Sequence, residues 1–292
     1  MHKLFAIALL LAVPTAALAD EVTRTGPEAL QWTARMTCGT TEANVVRYGF
    51  WEGRLYSRVP GERDRHLFDV MGVNTRTCAR LTDPVRGEGF RSVSREVMFY
   101  LDPATGEVLD RWKNPWTGEE VGVIQVANDP VNMREPTFAL RKDGTPLTVK
   151  LRQYDDTLVS ASEAPLFYTN PLAGDFQDYV GGTYHAMEIF NIFYRNADFI
   201  GAKKPRIADS RLSWQRISKW MPWMKMGDRT GLMVFTTTGF STFDAAKVPA
   251  KLWAIVDARY PQYRQPPPTD DARPNETTWT VFRKTIEARS KP

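Results

Sequence analysis

His185 lies in an alternating run. His185, Met187, Ile189, Asn191 and Phe193 fall on one side of it, and Tyr184, Glu188, Phe190 and Tyr194 fall on the other. Neither side is cleanly polar, so a strand here meets packed surroundings on both faces. If the strand lines a barrel, such mixed side chains belong in its lumen. An imidazole held neutral there by desolvation could accept a proton from a bound molecule. Asp129 is the first choice for a carboxylate that fixes its tautomer, and Tyr184 and Glu188 complete the candidate catalytic set. Plainer alternatives stand beside these: a hydrogen-bonded core histidine for His185, and an Asx turn for Asn128-Asp129-Pro130. His66, in the charge run Gly61 to His66, reads as part of a solvated loop.

Candidates for binding a ligand are mostly aromatic. Trp112 lies beside the turn Asn114-Pro115-Trp116-Thr117-Gly118 and Trp116 within it, and Met187 and Asn191 share the side of His185. Trp220 and Trp223 belong to Trp220-Met221-Pro222-Trp223-Met224-Lys225-Met226, five large soft side chains in seven positions. That stretch could cap the core. It could also form an apolar lid, or touch a membrane surface beside Lys219 and Lys225.

Several chemistries are not signalled. There is no G-x-S-x-G elbow, H-E-x-x-H, P-loop or C-x-x-C, and Gly87-Glu88-Gly89 lacks the third glycine of a dinucleotide fingerprint. No cofactor is therefore expected. With only His66 and His185 beyond His2, a three-histidine zinc site is impossible, so no metal is expected either.

The elements that must position these residues read mainly as strands. Thr25-Gly26-Pro27-Glu28 resembles a capping box, opening a short helix that ends near Gly39. From Asn44 to about Phe243 the pattern is strand and turn. Val93 to Leu101 alternates, Asp102 to Gly106 turns the chain, and Val108-Leu109 resumes it. Further strands are expected near Val121–Ala127, Leu147–Arg152, Thr183–Tyr194, Leu212–Trp220 and Gly231–Phe240. Strands at this spacing without intervening helices predict an antiparallel meander, closed or partly closed into a barrel. Two C-terminal helices follow from about residue 248. Pro249 opens the first, with Leu252, Trp253, Val256 and Tyr260 on one face. Asn275 caps the second, which carries Trp279, Phe282 and Ile286.

The N-terminus directs the chain out of the cytoplasm. His2-Lys3, the apolar run Leu4 to Val13, Pro14 and Ala17-Leu18-Ala19 form a signal peptide over residues 1–19, leaving 20–292 as one β-rich domain. A periplasmic or secreted location follows. In an oxidising compartment Cys38 and Cys78 invite a disulfide, with two free buried thiols as the alternative. Losing Lys3 lowers the formal charge from +4 to +3, and both signs are interspersed, so nucleic acid is not an expected partner. No later stretch is long enough to span a membrane.

Trp112-Lys113-Asn114-Pro115-Trp116-Thr117-Gly118-Glu119, followed by Val126-Ala127-Asn128-Asp129-Pro130-Val131, resembles a bacterial family known as domain of unknown function 1838. Asn275-Glu276-Thr277-Thr278-Trp279 before Phe282 is similar to it too. The resemblance runs from about Trp51 to Phe282 and implies one domain in an often exported family. It carries over no catalytic residue.

A protein of this composition, with 12% aromatics and ten methionines, is expected to hold a cavity for a small apolar or aromatic molecule. As an enzyme it would be a cofactor-free lyase, isomerase or hydrolase. As a carrier it would need no titratable pair. An envelope interaction protein would use the Trp220–Met226 patch. The sequence leaves these three open, along with the oligomeric state.

Overall fold

Residues that alternate between two apolar sets form strands packed on both faces. Gly87–Leu101 (β4) does this. Val97, Phe99 and Leu101 join one buried cluster, while Met98 and Tyr100 join another. A computed structural model of the protein describes residues 20–133 and 135–289. The expected signal peptide lies outside them.

Eleven strands make one antiparallel sheet built from two meanders. The first joins Arg47–Arg58 (β2), Arg65–Asp83 (β3) and β4. The second runs through Thr148–Tyr154 (β9), Thr157–Tyr168 (β10), Tyr184–Arg195 (β11), Ser210–Ser218 (β12) and Leu232–Thr242 (β13). A ladder from Leu232↔Arg58 to Thr242↔Tyr48 fuses them along β13 and β2. Asp20–Thr25 (β1) extends the sheet beside β9, and Val126–Asn128 (β7) and Thr137–Phe138 (β8) pair with β4. Arg111–Lys113 (β5) and Glu120–Gly122 (β6) form a separate hairpin around the expected Asn114–Gly118 turn. No ladder among the described residues joins the two ends of the large sheet, so it is open rather than a closed barrel.

The helices cover the outside and ends of the sheet. Ala250–Arg259 (α2) buries Leu252, Trp253 and Val256 against Tyr48, Phe50, Val73, Val97 and Phe99. Thr278–Arg289 (α3) buries Trp279 and Phe282, with Ile286 packed beside them. Asn275 does not cap α3. Its side chain accepts the Asn132 amide at 2.7 Å, while Thr277 and Thr280 make the reciprocal capping bonds.

Gly26–Cys38 (α1) also differs from expectation at its start. The Thr25 side chain makes no capping bond, and Glu28 instead pairs with Arg24 at 2.6 Å. The residues before it are strand β1, which a polar six-residue segment does not announce. Its C-terminus agrees: Gly39 adopts a left-handed φ of 74°, and a Cβ there would collide with the Arg47 guanidinium. Cys38 and Cys78 form a disulfide joining α1 to β3, with Cα atoms 6.1 Å apart.

Candidate functional site

The two meanders face each other across a cavity of about 520 Å³. Alternation decides which side chains enter it. Trp51 comes from β2, Asn74 and Arg76 from β3, and Glu96, Met98 and Tyr100 from β4. Opposite them stand Glu188, Phe190 and Ile192 of β11, Leu212, Trp214 and Arg216 of β12, and Phe235 of β13. Met36 and Thr37 of α1 close one end, and Thr278 and Trp279 of α3 contribute at the wall nearest β7.

The walls are aromatic. Phe190 and Trp214 are cross-strand partners stacked with centroids 6.4 Å apart, and Trp51 meets Trp214 edge-on at 6.2 Å. Gly72 makes the Trp51 position possible, because a Cβ there would lie 2.5 Å from the indole ring. The indole N–H groups of Trp51 and Trp214 are buried without a hydrogen-bond partner.

Charged groups converge on the same space. Glu188 and Arg216 are opposed on neighbouring strands and form an ion pair at 2.6 Å. Arg216 also donates to the Tyr184 hydroxyl at 3.0 Å. Glu96 accepts from Asn128 Nδ2 at 3.4 Å, leaving the Asn128 carbonyl oxygen without a partner. Burial pushes the Glu96 carboxyl up to about 7, and the negative charge of Glu188 adds to this against Arg76 and Arg216. Burial opposes the charge on Arg216, yet Tyr184 and Glu188 hold it more firmly protonated than usual. The Tyr100 hydroxyl is raised by burial, against the pull of Arg216. A half-protonated carboxyl beside a fixed cation can take a proton and return it, while the cation steadies the resulting negative charge.

The sequence-predicted residues divide. Tyr184 and Glu188 belong to this network. His185 does not: it is exposed on the other face of β11, edge-on to Phe167 at 4.6 Å. The alternation was read correctly, but the inward set is the even-numbered one, so Met187 and Asn191 also lie away from the cavity. Asp129 is paired with Arg95 at 2.9 Å and Arg273 at 2.7 Å and stands apart from His185. His66 is the second residue of β3 rather than part of a loop, stacked on Tyr56 and bonded to Asp69.

Trp112, Trp116, Trp220 and Trp223 form a cluster behind the cavity wall. Trp223 packs on Tyr100 at 5.2 Å and on Trp112 at 5.9 Å, and Trp116 packs on Trp220 at 4.9 Å. Trp220, Met221, Trp223, Met224 and Met226 are all buried. The stretch caps the core and presents no lid or membrane-facing patch. Of its members only Met221 reaches the cavity. A second cleft, about 640 Å³, opens beside Trp220 and Tyr184, but its Arg58 and Asp64 are exposed and already paired at 2.7 Å.

Glu96, Arg216, Arg76, Arg47, Asn128, Trp51 and Trp214 were missed. The available signal was a charge placed inside a buried strand row, as Glu96 stands between Ser94 and Met98. Among the described residues no group of three metal-ligating side chains occurs, and no helix is long and apolar enough to cross a membrane.

Fold and site together define a β-rich protein whose open, curved sheet surrounds an aromatic cavity bearing carboxyl and guanidinium groups. The family model described as protein of unknown function (DUF1838) matches residues 45–286, and the chain belongs to that family. A search of curated proteins finds no match.

Proposed function

We propose that this is an exported, single-domain protein whose sheet acts as a partly closed barrel around a small apolar or aromatic molecule, and that it moves a proton on that molecule. The observation that carries the reading is the convergence of Glu96, Glu188 and Arg216, from β4, β11 and β12, on one aromatic-walled cavity, with the Tyr184 hydroxyl accepting from Arg216 behind its wall. A carrier of apolar ligands has no use for a buried network of this kind, whose desolvation is costly. Glu96 serves as the acid–base group, and Arg216, oriented by Glu188 and Tyr184, faces the oxygen on which charge develops. Isomerases and lyases begin with this step, and a hydrolase would direct it at water. The disulfide supports export, since such bonds persist in oxidising compartments.

Deuterium uptake tests this directly. Phenylacetone and phenylpyruvate, one neutral and one acidic, carry an exchangeable C–H next to a carbonyl. In D2O near neutrality, proton NMR is expected to show exchange accelerated by the protein for at least one probe. Glu96→Gln should reduce that acceleration by about 100-fold or more. Binding of both probes with exchange no faster than in buffer would favour the non-catalytic carrier instead.

A further inference from the structure

We propose that the cavity grips its molecule by a carboxylate held between Arg47 and Arg76, which makes the substrate class a small aromatic or apolar carboxylic acid. This rests on the reading above for which cavity is used. Arg47 and Arg76 are direct cross-strand partners of β2 and β3, so their side chains leave the sheet on the same face. Both line the cavity at its α1 end. Like charges placed opposite each other repel, and here they do so away from water.

Neither guanidinium has an ion-pair partner among the described residues. Arg47 is 5% exposed; it donates to Ser210 Oγ at 2.9 Å, and its Nη1 is buried without an acceptor. Arg76 donates to the Thr37 carbonyl at 3.3 Å, and its Nε is likewise buried and unpartnered. Glu188 is engaged by Arg216, and Glu276, at the rim, by Lys284. Glu96 is the remaining carboxyl in the wall, and burial disfavours its charge, pushing it up to about 7. The cavity wall therefore carries an excess of positive charge, with guanidinium N–H groups at its α1 end left without acceptors. Two guanidiniums offering planar N–H pairs match a carboxylate better than a tetrahedral or spherical anion.

Spacing says where the rest of the molecule lies. Arg76 is opposite Ser94, and Glu96 is two residues further along the same face of β4. Two residues of strand are about 7 Å. An acid anchored at the arginines thus places a carbon one or two bonds from its carboxylate near Glu96. Its apolar body then lies against Trp51, Phe190 and Trp214.

Calorimetric titration of the full chain with phenylacetate, phenylacetamide and inorganic phosphate tests the proposal. Phenylacetate should bind at least tenfold more tightly than the amide, and phosphate should not compete at similar concentration. Arg76→Gln should erase the preference for the acid, whereas Glu96→Gln should keep it. Should Arg76→Gln fail to fold, the acid-to-amide ratio of the unaltered protein still decides. Equal binding of acid and amide overturns the carboxylate site and leaves the proton-transfer reading standing. Acid preference without deuterium exchange does the reverse. Phosphate competing as strongly as phenylacetate, a preference that survives Arg76→Gln, or no binding of any probe overturns the proposal.

Discussion

Glu96 shows how one side chain couples stability to chemistry. Its carboxyl titrates near 7 in the folded protein against an ordinary 4.5, because burial and Glu188 both disfavour the charge. Between those pH values the native state binds more protons than the unfolded chain, so stability falls as pH rises from 4.5 through 7. At about 1.4 kcal/mol per pH unit, the cost above pH 7 is at most about 3.5 kcal/mol. Glu96→Gln removes the charge and should flatten that slope, making the variant relatively more stable at pH 8 than at pH 5. Urea unfolding of both proteins at the two pH values reads this. Parallel slopes would mean that Glu96 is not the buried titrating group. The local sequence offers only a charge within a strand row, because the partners Asn128, Glu188 and Arg216 that define its setting are distant in the chain. His185 is the more conspicuous candidate in the sequence because histidine is rare there and chemically versatile. Which parity of β11 faces inward is decided by the packing of neighbouring strands, and that packing is a tertiary fact.

At the scale of elements the sequence was far more legible. The strands expected near Leu147, Thr183, Leu212 and Gly231 correspond to β9, β11, β12 and β13, because alternation and turn residues are local signals. The helices α2 and α3 were visible for the same reason, through apolar side chains at helical spacing. Strand β1 was not, since Asp20 to Thr25 gains its order from pairing with β9. Closure was over-read, because whether sheet edges meet depends on twist and shear that no single strand encodes. The docking of α3 permits a quantitative test. Phe282 is fully buried and meets Phe176 and Tyr179 edge-on at 5.7 and 5.2 Å. Phe282→Ala should destabilise the protein by about 3–5 kcal/mol. Thermal melts of the two proteins check this, and an unchanged melting temperature would mean that α3 does not hold the core. Trp279 of the same helix lines the cavity and packs on Tyr184 at 4.7 Å, so the variant should also weaken probe binding.

For the whole molecule, the disulfide ties the arginine end of the cavity to the sheet. Cys38 ends α1 and Cys78 lies two residues beyond Arg76 on β3. The bond therefore fixes the helix whose Thr37 carbonyl accepts from Arg76 and whose capping Gly39 lies beneath Arg47. A crosslink across 40 residues stabilises by about 4 kcal/mol on the chain-entropy argument. Replacing both cysteines with serine should lower the melting temperature by several degrees. Reductant should bring the unaltered protein to a similar value and leave the double variant unmoved. A second consequence separates stability from site geometry. Below its melting transition the double variant should keep the deuterium exchange that depends on Glu96, which is held by β4 and β7. It should lose discrimination between phenylacetate and phenylacetamide, which depends on the α1 end. Exchange lost along with discrimination would mean that the two ends of the cavity are not separable. Discrimination kept intact would mean that the sheet alone positions the guanidiniums, without help from the helix that the disulfide secures.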